Sequence, residues 1–254
     1  MLRPMPRAPR WWWHKSGWIM AKLKDDKPKQ EGTFKRAARE AEEAAGGHKI
    51  EADGYALYQY PDYETYKSVQ TAGNKAKLSR QFVKESHIAA LATMITETLG
   101  TTRFGLCHGT RRGAEQAWFS AGLAGQPEVI GTEISDTASQ FPHTVQWDFH
   151  EVNPDWHARA DFVYSNSWDH AFDPTKAFSA WIDALRPGGL MLLDHTKDQT
   201  PETSNALDPF GTSLERLEKL LADEFGSRGR LRPTLDLRAN REYRACVVVF
   251  EKNA

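Results

Sequence analysis

The chain has 254 residues, of which 40% are hydrophobic and 26% are charged, and its formal net charge at pH 7 is -1. A chain of this length can bury one substantial α/β core and carry an additional segment in front of it. The near-neutral charge argues against a surface that binds nucleic acid along the whole chain.

The cysteines and the apolar stretches indicate the compartment. Cys107 and Cys246 have neither the number nor the spacing of a disulfide framework or a zinc site. No stretch reaches the ~20 apolar residues that span a bilayer. His14, Lys15 and Gly17 interrupt the apolar run that a signal peptide needs. These features predict a cytoplasmic protein without a transmembrane segment.

Residues 1–30 differ in composition from the rest of the chain. They contain eight Lys or Arg residues, two Asp residues, four prolines and four tryptophans. We interpret this segment as a basic, Trp-rich disordered tail, and Met20 is an alternative start that would place residues 1–19 outside the native protein. A functional tail of this composition suits weak contact with an anionic membrane face or stacking on nucleic-acid bases.

Residues 31–100 are predicted to form a helical extension. The Ala-, Glu-, Lys- and Arg-rich stretch 31–47 favours a solvated helix. Asp62 is a candidate N-cap for a Tyr-rich helix that follows it. An amphipathic helix closed by Gly100 is predicted from four apolar positions at helical spacing: Ile88, Leu91, Ile95 and Leu99.

Residues 101–254 alternate strand and helix patterns and are predicted to form an α/β domain. Short apolar runs predict strands at 103–108, 128–132, 144–148, 161–165 and 189–194. Helices are predicted near 112–122, 135–140, 174–184 and 212–225. This alternation predicts a Rossmann-like, doubly wound parallel sheet with helices on both faces.

The end of the chain follows a different pattern. Two apolar runs, 231–237 and 243–252, have no helix between them and predict a closing antiparallel hairpin. Three element boundaries follow from local signals: an N-cap pair at Asp173 and Pro174, capping-box spacing at Thr212 and Glu215, and a turn at 187–189.

Polar side chains follow the predicted strands. Gly109 and Gly113 bracket the first turn, where a ligand can approach the backbone and a helix N-terminus. Glu133 ends the second strand and suits both ribose hydroxyls of an adenosine, with a solvated loop carboxylate as the alternative. Asp148 suits an adenine amino group and Phe149 suits stacking on the base, with a helix or loop cap as the alternative for Asp148. Together they predict a nucleoside-binding crevice.

This order of motifs resembles class I S-adenosylmethionine-dependent methyltransferases over roughly residues 100–254. The end of the fourth strand at Asn166 and the LRPGG sequence at 185–189 extend the resemblance. It implies a seven-stranded sheet with its last strand antiparallel. It also implies the cofactor S-adenosyl-L-methionine, with its methionine part at the glycine turn, its ribose on Glu133, its adenine near Asp148, and Asn166 among the cofactor-binding residues.

The first turn departs from the usual pattern of that family. Cys107 stands where the family has an acidic residue, and Arg111 stands where it has a glycine. We suspect a subgroup with a G-x-R-x-G-x-E turn, formed here by Gly109, Arg111, Gly113 and Glu115. In such a turn the guanidinium binds the methionine carboxylate and Glu115 steadies the guanidinium. A surface salt bridge is the alternative role of Arg111.

Methyl transfer requires a nucleophile held in line with the carbon–sulfur bond and the exclusion of water. A general base helps when the nucleophile is a hydroxyl or a protonated amine, and histidine has a suitable ordinary pKa of ~6.5. We expect His170 to be this base, oriented by Asp169, with His195 as the second candidate. The alternative is that His170 caps or packs the following helix. No histidine pair has the helical spacing of a zinc site, so no metal is predicted.

The sequence therefore predicts a methyltransferase that acts on a small-molecule or saccharide acceptor. The Tyr-rich segment 55–78 and the helix at 80–99 are expected to fold over the cofactor as a lid, or else to pack the extension onto the sheet. Two alternatives stay open: an RNA-directed methyltransferase, and a catalytically degenerate scaffold that only binds the cofactor. A nicotinamide oxidoreductase is disfavoured because the first turn lacks G-x-G-x-x-G.

Overall fold

The computed structural model describes residues 33–254, which group into one unit by their contacts, and the predicted tail 1–30 lies outside the described residues. The strands in this range are β1 His48–Ala52, β2 Tyr55–Gln59, β3 Phe104–His108, β4 Glu128–Glu133, β5 Thr144–Gln146, β6 Ala160–Ser165, β7 Leu185–His195, β8 Phe210–Thr212, β9 Gly229–Leu231, β10 Leu235–Asp236 and β11 Cys246–Lys252. The α-helices in the same range are α1 Thr33–Ala45, α2 Tyr63–Ala76, α3 Glu85–Leu99, α4 Ala114–Gly122, α5 Pro174–Ala184 and α6 Leu214–Phe225.

The main sheet has the strand order β10-β11-β7-β6-β3-β4-β5, and β9 also pairs with β11. Strands β3 to β7 pair in parallel, whereas β11 is antiparallel to β7. Every residue of β3 and β6 is buried, because helices cover both faces of the sheet. The predicted doubly wound sheet with an antiparallel last strand is confirmed.

The structure corrects the predicted number of strands. Within the described residues, eight strands rather than seven form the main sheet. The partner of β11 is divided into two short pieces, with Leu231 opposite Phe250 and Leu235 opposite Val247. Pro233 lies between the two pieces, and proline has no N–H to donate to a neighbouring strand. The closing hairpin is therefore interrupted at that residue.

The prediction of a purely helical extension is wrong for residues 48–59. Strands β1 and β2 form an antiparallel hairpin there, and β2 also pairs with β8 to give a separate three-stranded sheet. Ala56 and Tyr58 alternate with less buried neighbours, which is the pattern of a strand with one buried face. This small sheet ties the segment in front of α2 to residues 210–212.

Residues 187–189 are part of β7 and do not form the predicted turn. Glycine is required at position 189 because a Cβ there would lie 2.9 Å from the carbonyl oxygen of Ala160 and 3.1 Å from that of Asp161. Strand β7 can thus approach the start of β6 closely, and the pairing of the two strands is irregular at this point.

The predicted helix boundaries are confirmed in part. Asp62 caps α2 and Asp173 caps α5, each by accepting a hydrogen bond from a backbone N–H of the first turn. The cap of α6 is Ser213 rather than Thr212, because the Thr212 hydroxyl donates to a carbonyl of another segment. The segment predicted as a helix near 135–140 is a 3-10 helix, Asp136–Gln140.

Helix α3 belongs to the core and does not act as part of a lid. Ile88, Leu91 and Ile95 are fully buried, and they pack with Cys107 of β3 and Phe162 of β6 on one face of the sheet. The opposite face is covered by α5 and α6 through a cluster of apolar side chains that includes Phe178, Trp181, Leu217, Leu221, Met191 and Val248. No helix within residues 33–254 combines the length and the apolar character that a bilayer crossing requires.

We expect Leu91→Ala to lower the free energy of unfolding by about 2–5 kcal/mol, because it leaves a cavity between α3 and the sheet. The measurement is urea unfolding followed by tryptophan fluorescence. Thr93→Ala is the matched control, since Thr93 is exposed on the same helix. Equal stability of the two variants would contradict the placement of α3 in the core.

Candidate functional site

A cavity of about 40 Å³ lies at the carboxyl edge of the parallel strands. It is beside the point where the chain order reverses, since β3 has β4 on one side and β6 on the other. Open α/β sheets bind ligands at such a point. The residues that line it are Tyr66, Gln70, Asn74, Lys77, Gly109, Arg111, Glu133, Ile134, Asp148, Phe149, Ser167 and His170.

The glycine turn brings the ends of β3 and β6 into close contact. Gly109 has a φ of 74°, and a Cβ on it would lie 2.6 Å from the Cβ of Ser167. The Ser167 hydroxyl donates to the Gly109 carbonyl at 3.3 Å, and the Ser165 hydroxyl donates to the His108 carbonyl at 3.0 Å. These contacts hold the first turn against the turn that carries His170.

Arg111 lines the cavity instead of forming the alternative surface salt bridge. Its Nε atom is buried and has no hydrogen-bond partner. Burial lowers the pKa of Arg111, while the carboxylates of Glu133, Glu115 and Asp208 act in the opposite direction. A buried guanidinium with an unused N–H at a cavity wall is suited to an anionic group of a ligand.

Glu115 is buried in the first turn of α4 and does not line the cavity. Its Oε1 atom accepts a hydrogen bond from Gln81 at 2.9 Å, whereas Oε2 has no partner. Burial raises the pKa of Glu115 to about 7, against a lowering effect of the Arg111 charge. Glu115 lies outside the cavity, and its ionised form, which prevails above about pH 7, acts on Arg111 through its charge.

Glu133 stands at the end of β4, as the sequence predicts, and it is 6% exposed. Its Oε1 atom accepts the backbone N–H of Ser135 at 3.0 Å, and its Oε2 atom accepts the side-chain amide of Asn74. Burial raises the pKa of Glu133, while the Ser135 N–H and Arg111 oppose that effect. A carboxylate has about four lone-pair positions, so two protein donors leave room for ligand donors.

Asp148 lies on the same cavity, after the end of β5. Its Oδ1 atom accepts from the backbone N–H and from Nδ1 of His150, at 2.9 and 2.7 Å, and its Oδ2 atom accepts from the Tyr63 hydroxyl at 2.7 Å. Burial favours a higher pKa, but the hydrogen bonds from His150 prevail and the pKa of Asp148 is lowered. Asp148 is therefore ionised at neutral pH. Phe149 beside it is buried and also lines the cavity.

His170 lies in a 3-10 turn after β6 and lines the cavity. Its Nδ1 atom is 2.7 Å from Oε1 of Gln70, and its Nε2 atom is 3.4 Å from Oδ1 of Asp208. Burial lowers the pKa of His170 to about 4, although Asp208 acts in the opposite direction. The imidazole is therefore neutral at pH 7.

Asp169 does not orient His170 as the sequence predicts. It is 6% exposed and accepts a long hydrogen bond, 3.5 Å, from the amide of Gln199. Burial and the neighbouring Asp208 raise the pKa of Asp169 well above its ordinary value. The hydrogen-bond partner of the His170 ring is Gln70 from α2, which sequence reasoning missed.

Three other predicted site residues, Gly113, Asn166 and His195, lie outside the cavity lining. The Nε2 atom of His195 donates to the carbonyl of Thr212 at 2.8 Å, and its ring stacks on Trp168. That nitrogen is engaged by the protein backbone and is not offered to the cavity. The Oδ1 atom of Asn166 lies 3.3 Å from the Ser167 hydroxyl oxygen, whose hydrogen is donated to the Gly109 carbonyl, and the carbonyl of Asn166 accepts from Gln199.

Helix α2 supplies a polar stripe that the sequence analysis did not identify. Tyr66, Gln70, Asn74 and Lys77, spaced by four, four and three residues, all line the cavity. Lys77 follows the last residue of the helix, and its Nζ atom is 3.5 Å from Oδ1 of Asp208. The available signal was the helical spacing of polar residues after Tyr66, since a solvated helix needs no such regular stripe.

Asp169, His170 and Asp208 each offer one possible metal-ligand atom, and these atoms lie within 4.8 Å of one another. Sequence spacing did not reveal this group, because Asp208 comes from a distant segment of the chain. The ammonium group of Lys77 lies beside Asp208 and supplies positive charge to the same group. The cluster is thus compensated by a protein cation.

We expect Glu115→Gln to change the pH dependence of stability. Because the native state keeps the Glu115 proton up to about pH 7 and the unfolded chain releases it near 4.3, the free energy of unfolding of the parent protein falls across that window. Glutamine does not titrate, so the variant gains on the order of 1–3 kcal/mol relative to the parent between pH 5 and pH 8. Urea unfolding at both pH values measures the difference.

The control is Glu224→Gln, because Glu224 is exposed on α6. It should leave the pH dependence unchanged. The same pH dependence in Glu115→Gln and in the parent protein would show that Glu115 is ionised in the native state throughout this range.

No protein-family model matches the chain, and no curated protein matches its sequence. Solved structures share its fold at low sequence identity. The 1,6-didemethyltoxoflavin-N1-methyltransferase of Burkholderia thailandensis, with bound 1,6-didemethyltoxoflavin and S-adenosylhomocysteine, matches with a TM-score of 0.57 and 15% identity. That match covers 82% of this chain and 99% of that chain.

Two further structures give similar matches. The N-methyltransferase NodS from Bradyrhizobium japonicum, in complex with S-adenosylhomocysteine, has a TM-score of 0.53 and 12% identity, over 73% of this chain and 99% of that chain. The geranyl diphosphate C-methyltransferase from Streptomyces coelicolor has a TM-score of 0.51 and 13% identity, over 74% of this chain and 97% of that chain. The strand order of the main sheet and these matches agree with the resemblance found in the sequence. The chain has the fold of the class I S-adenosylmethionine-dependent methyltransferases.

Proposed function

We propose that this chain is an S-adenosylmethionine-dependent methyltransferase with a small-molecule acceptor. One observation carries the proposal: Gly109, Glu133 and Asp148, which end three different strands, line a single cavity together with His170.

The residues of the cavity fit the parts of this cofactor. Glu133 keeps lone pairs for the ribose hydroxyls, and the ionised Asp148 can accept from an adenine amino group beside the ring of Phe149. The unpartnered Nε–H of Arg111 matches a carboxylate. Gly109 leaves the backbone of the first turn free of a Cβ. These four features support S-adenosylmethionine as the cofactor.

The bound cofactor supplies an electrophilic methyl group on a sulfonium, so the protein has to position the acceptor and remove its proton. The neutral imidazole of His170 can take a proton from a hydroxyl or an amine. Asp208 lies 3.4 Å from Nε2 and stabilises the imidazolium that forms. Lys77 limits this effect, since its ammonium is beside the same carboxylate.

Helix α2 covers one side of the cavity. Its side chains contact three of the strand ends, because Tyr63 donates to Asp148, Gln70 accepts from His170, and Asn74 donates to Glu133. The Tyr66 hydroxyl also donates to the carbonyl of His170 at 3.2 Å. This arrangement supports the interpretation of segment 55–78 as a cover over the cofactor. A cavity closed in this way favours a small metabolite or a short saccharide over a polymer such as RNA.

We expect Glu133→Ala to weaken binding of S-adenosylhomocysteine by on the order of 1–3 kcal/mol, because charged hydrogen bonds to the ribose are lost. Isothermal titration calorimetry measures the affinity. Glu128→Ala is the control, since Glu128 is exposed at the opposite end of β4. If the parent protein binds no S-adenosylhomocysteine, the proposed function is wrong and a degenerate scaffold is favoured.

We expect His170→Ala to keep the affinity for S-adenosylhomocysteine and to lower kcat by roughly 10²–10⁴-fold, which is the usual contribution of a general base. The acceptor for this assay is the compound that becomes labelled when the purified protein, a labelled methyl donor and fractionated host extract are incubated together. His157→Ala is the control, because His157 is exposed and distant from the cavity lining.

The pH profile of the parent protein gives a second test of His170. Protonation removes the base, so activity should fall as pH drops through the lowered pKa of about 4, and stay level between pH 6 and pH 8. A limb near pH 6.5 in the profile would contradict the lowered pKa of His170, and full activity of His170→Ala would exclude His170 as the base.

A further inference from the structure

Gln70 is a buried amide on α2 whose orientation is determined by its neighbours. Its Nε2 atom is 3.2 Å from the Tyr60 hydroxyl oxygen and 3.1 Å from the carbonyl oxygen of Leu207. The Leu207 carbonyl only accepts hydrogen bonds. The Tyr60 hydroxyl donates its own hydrogen to the carbonyl of Ala206 at 2.5 Å, so its oxygen can only accept from Gln70.

Both N–H bonds of the amide are thereby engaged, and Oε1 of Gln70 is the atom that contacts His170. The opposite orientation of the amide would place its oxygen against two acceptors. Burial also raises the pKa of Tyr60, so the hydroxyl keeps the hydrogen on which this arrangement depends. The Tyr60 and Leu207 contacts therefore select one orientation of Gln70.

The orientation of Gln70 determines which nitrogen of His170 carries the hydrogen. Oε1 accepts from Nδ1 at 2.7 Å, so the neutral imidazole has its hydrogen on Nδ1 and its lone pair on Nε2. The lone pair then lies on the side of Asp208, whose Oδ1 atom is 3.4 Å from Nε2. The other charged or titratable groups around this ring are Lys77, Arg111 and Asp169.

We propose that Gln70 is a positioning residue: held by Tyr60 and the Leu207 carbonyl, it keeps neutral His170 in the Nδ1–H tautomer and makes Nε2 the proton acceptor of the reaction. This inference rests on the proposed function for the identity of the reaction. When the acceptor loses its proton, the bond between that hydrogen and the acceptor atom breaks and an N–H bond forms at Nε2. The resulting imidazolium donates to Gln70 from Nδ1 and faces Asp208 with Nε2.

The tautomer can be read without any methyl transfer. In the full chain labelled with ¹⁵N-histidine, two-bond correlation spectra at pH 7 distinguish a protonated from an unprotonated ring nitrogen, and the loss of one signal in His170→Ala assigns the residue. The parent protein should show a protonated Nδ1 and an unprotonated Nε2 at His170. A protonated Nε2 in the parent protein would overturn the proposal.

Two substitutions at position 70 separate positioning from packing. Gln70→Leu removes the acceptor and should give a mixture of tautomers, with a decrease in kcat of about tenfold or more. Gln70→Glu keeps an acceptor at the same place, so it should retain the Nδ1–H tautomer and raise the pKa of His170 by about 1–3 units in an NMR titration. Thermal melts establish that each variant folds, and Gln70→Glu still tests the tautomer if Gln70→Leu does not fold.

Gln140→Leu is the matched control, because Gln140 is exposed and outside the cavity lining. It should leave the His170 spectrum and kcat unchanged. An unchanged tautomer in Gln70→Leu would also overturn the proposal. Failure of the proposed function gives a different result, since S-adenosylhomocysteine would then not bind while the tautomer spectra could still follow Gln70.

Discussion

The structure depends on the hydrogen bonds and the ion pair that carboxylates receive near the carboxyl edge of the sheet. Glu133 is buried and Asp148 is largely buried, whereas the side chain of Asp208 is 31% exposed, and an unpaired buried charge is costly. Donors in and just after α2 offset this cost. Tyr63 donates to Asp148, Asn74 donates to Glu133, and Lys77 donates to Asp208. The arrangement that stabilises the apo protein therefore also forms the wall of the cavity. The binding site and the fold share the same hydrogen bonds.

In the first turn, after β3, Arg111 stands where the usual motif has a glycine. Arg111 occupies a left-handed conformation, with a φ of 44°, at a position where glycine is the ordinary choice. The backbone strain is offset by a guanidinium that reaches the cavity near Glu133 and under the influence of Glu115. We propose that this positive side chain replaces part of the backbone contact that a glycine-rich turn offers to an anionic group.

Much of the sheet and its carboxyl edge could be predicted from the sequence, whereas the contacts of α2 with that edge could not. Short apolar runs mark β3, β4 and β6, and polar or glycine residues at the end of each run fall at the carboxyl edge, so Gly109, Glu133 and the turn with His170 are local signals. The long-range hydrogen bonds of α2 to Glu133 and Leu207 join residues that are 59 and 137 positions apart. Composition and spacing carry no information about which distant side chain meets which. For this reason the sequence did not reveal the roles of Gln70, Lys77 and Asp208, and it gave His170 the wrong partner.

The anchoring of the cover has a consequence for the order of folding. Strand β2, Tyr60, Gln70 and Lys77 are all held by the segment 206–212, which is synthesised after most of the main sheet. During translation, residues 55–77 cannot make these contacts until segment 206–212 has left the ribosome. Pairings between distant segments form slowly because of the entropy lost on closing a long loop. The contacts that hold α2 at the carboxyl edge therefore form only after the parallel strands have been synthesised.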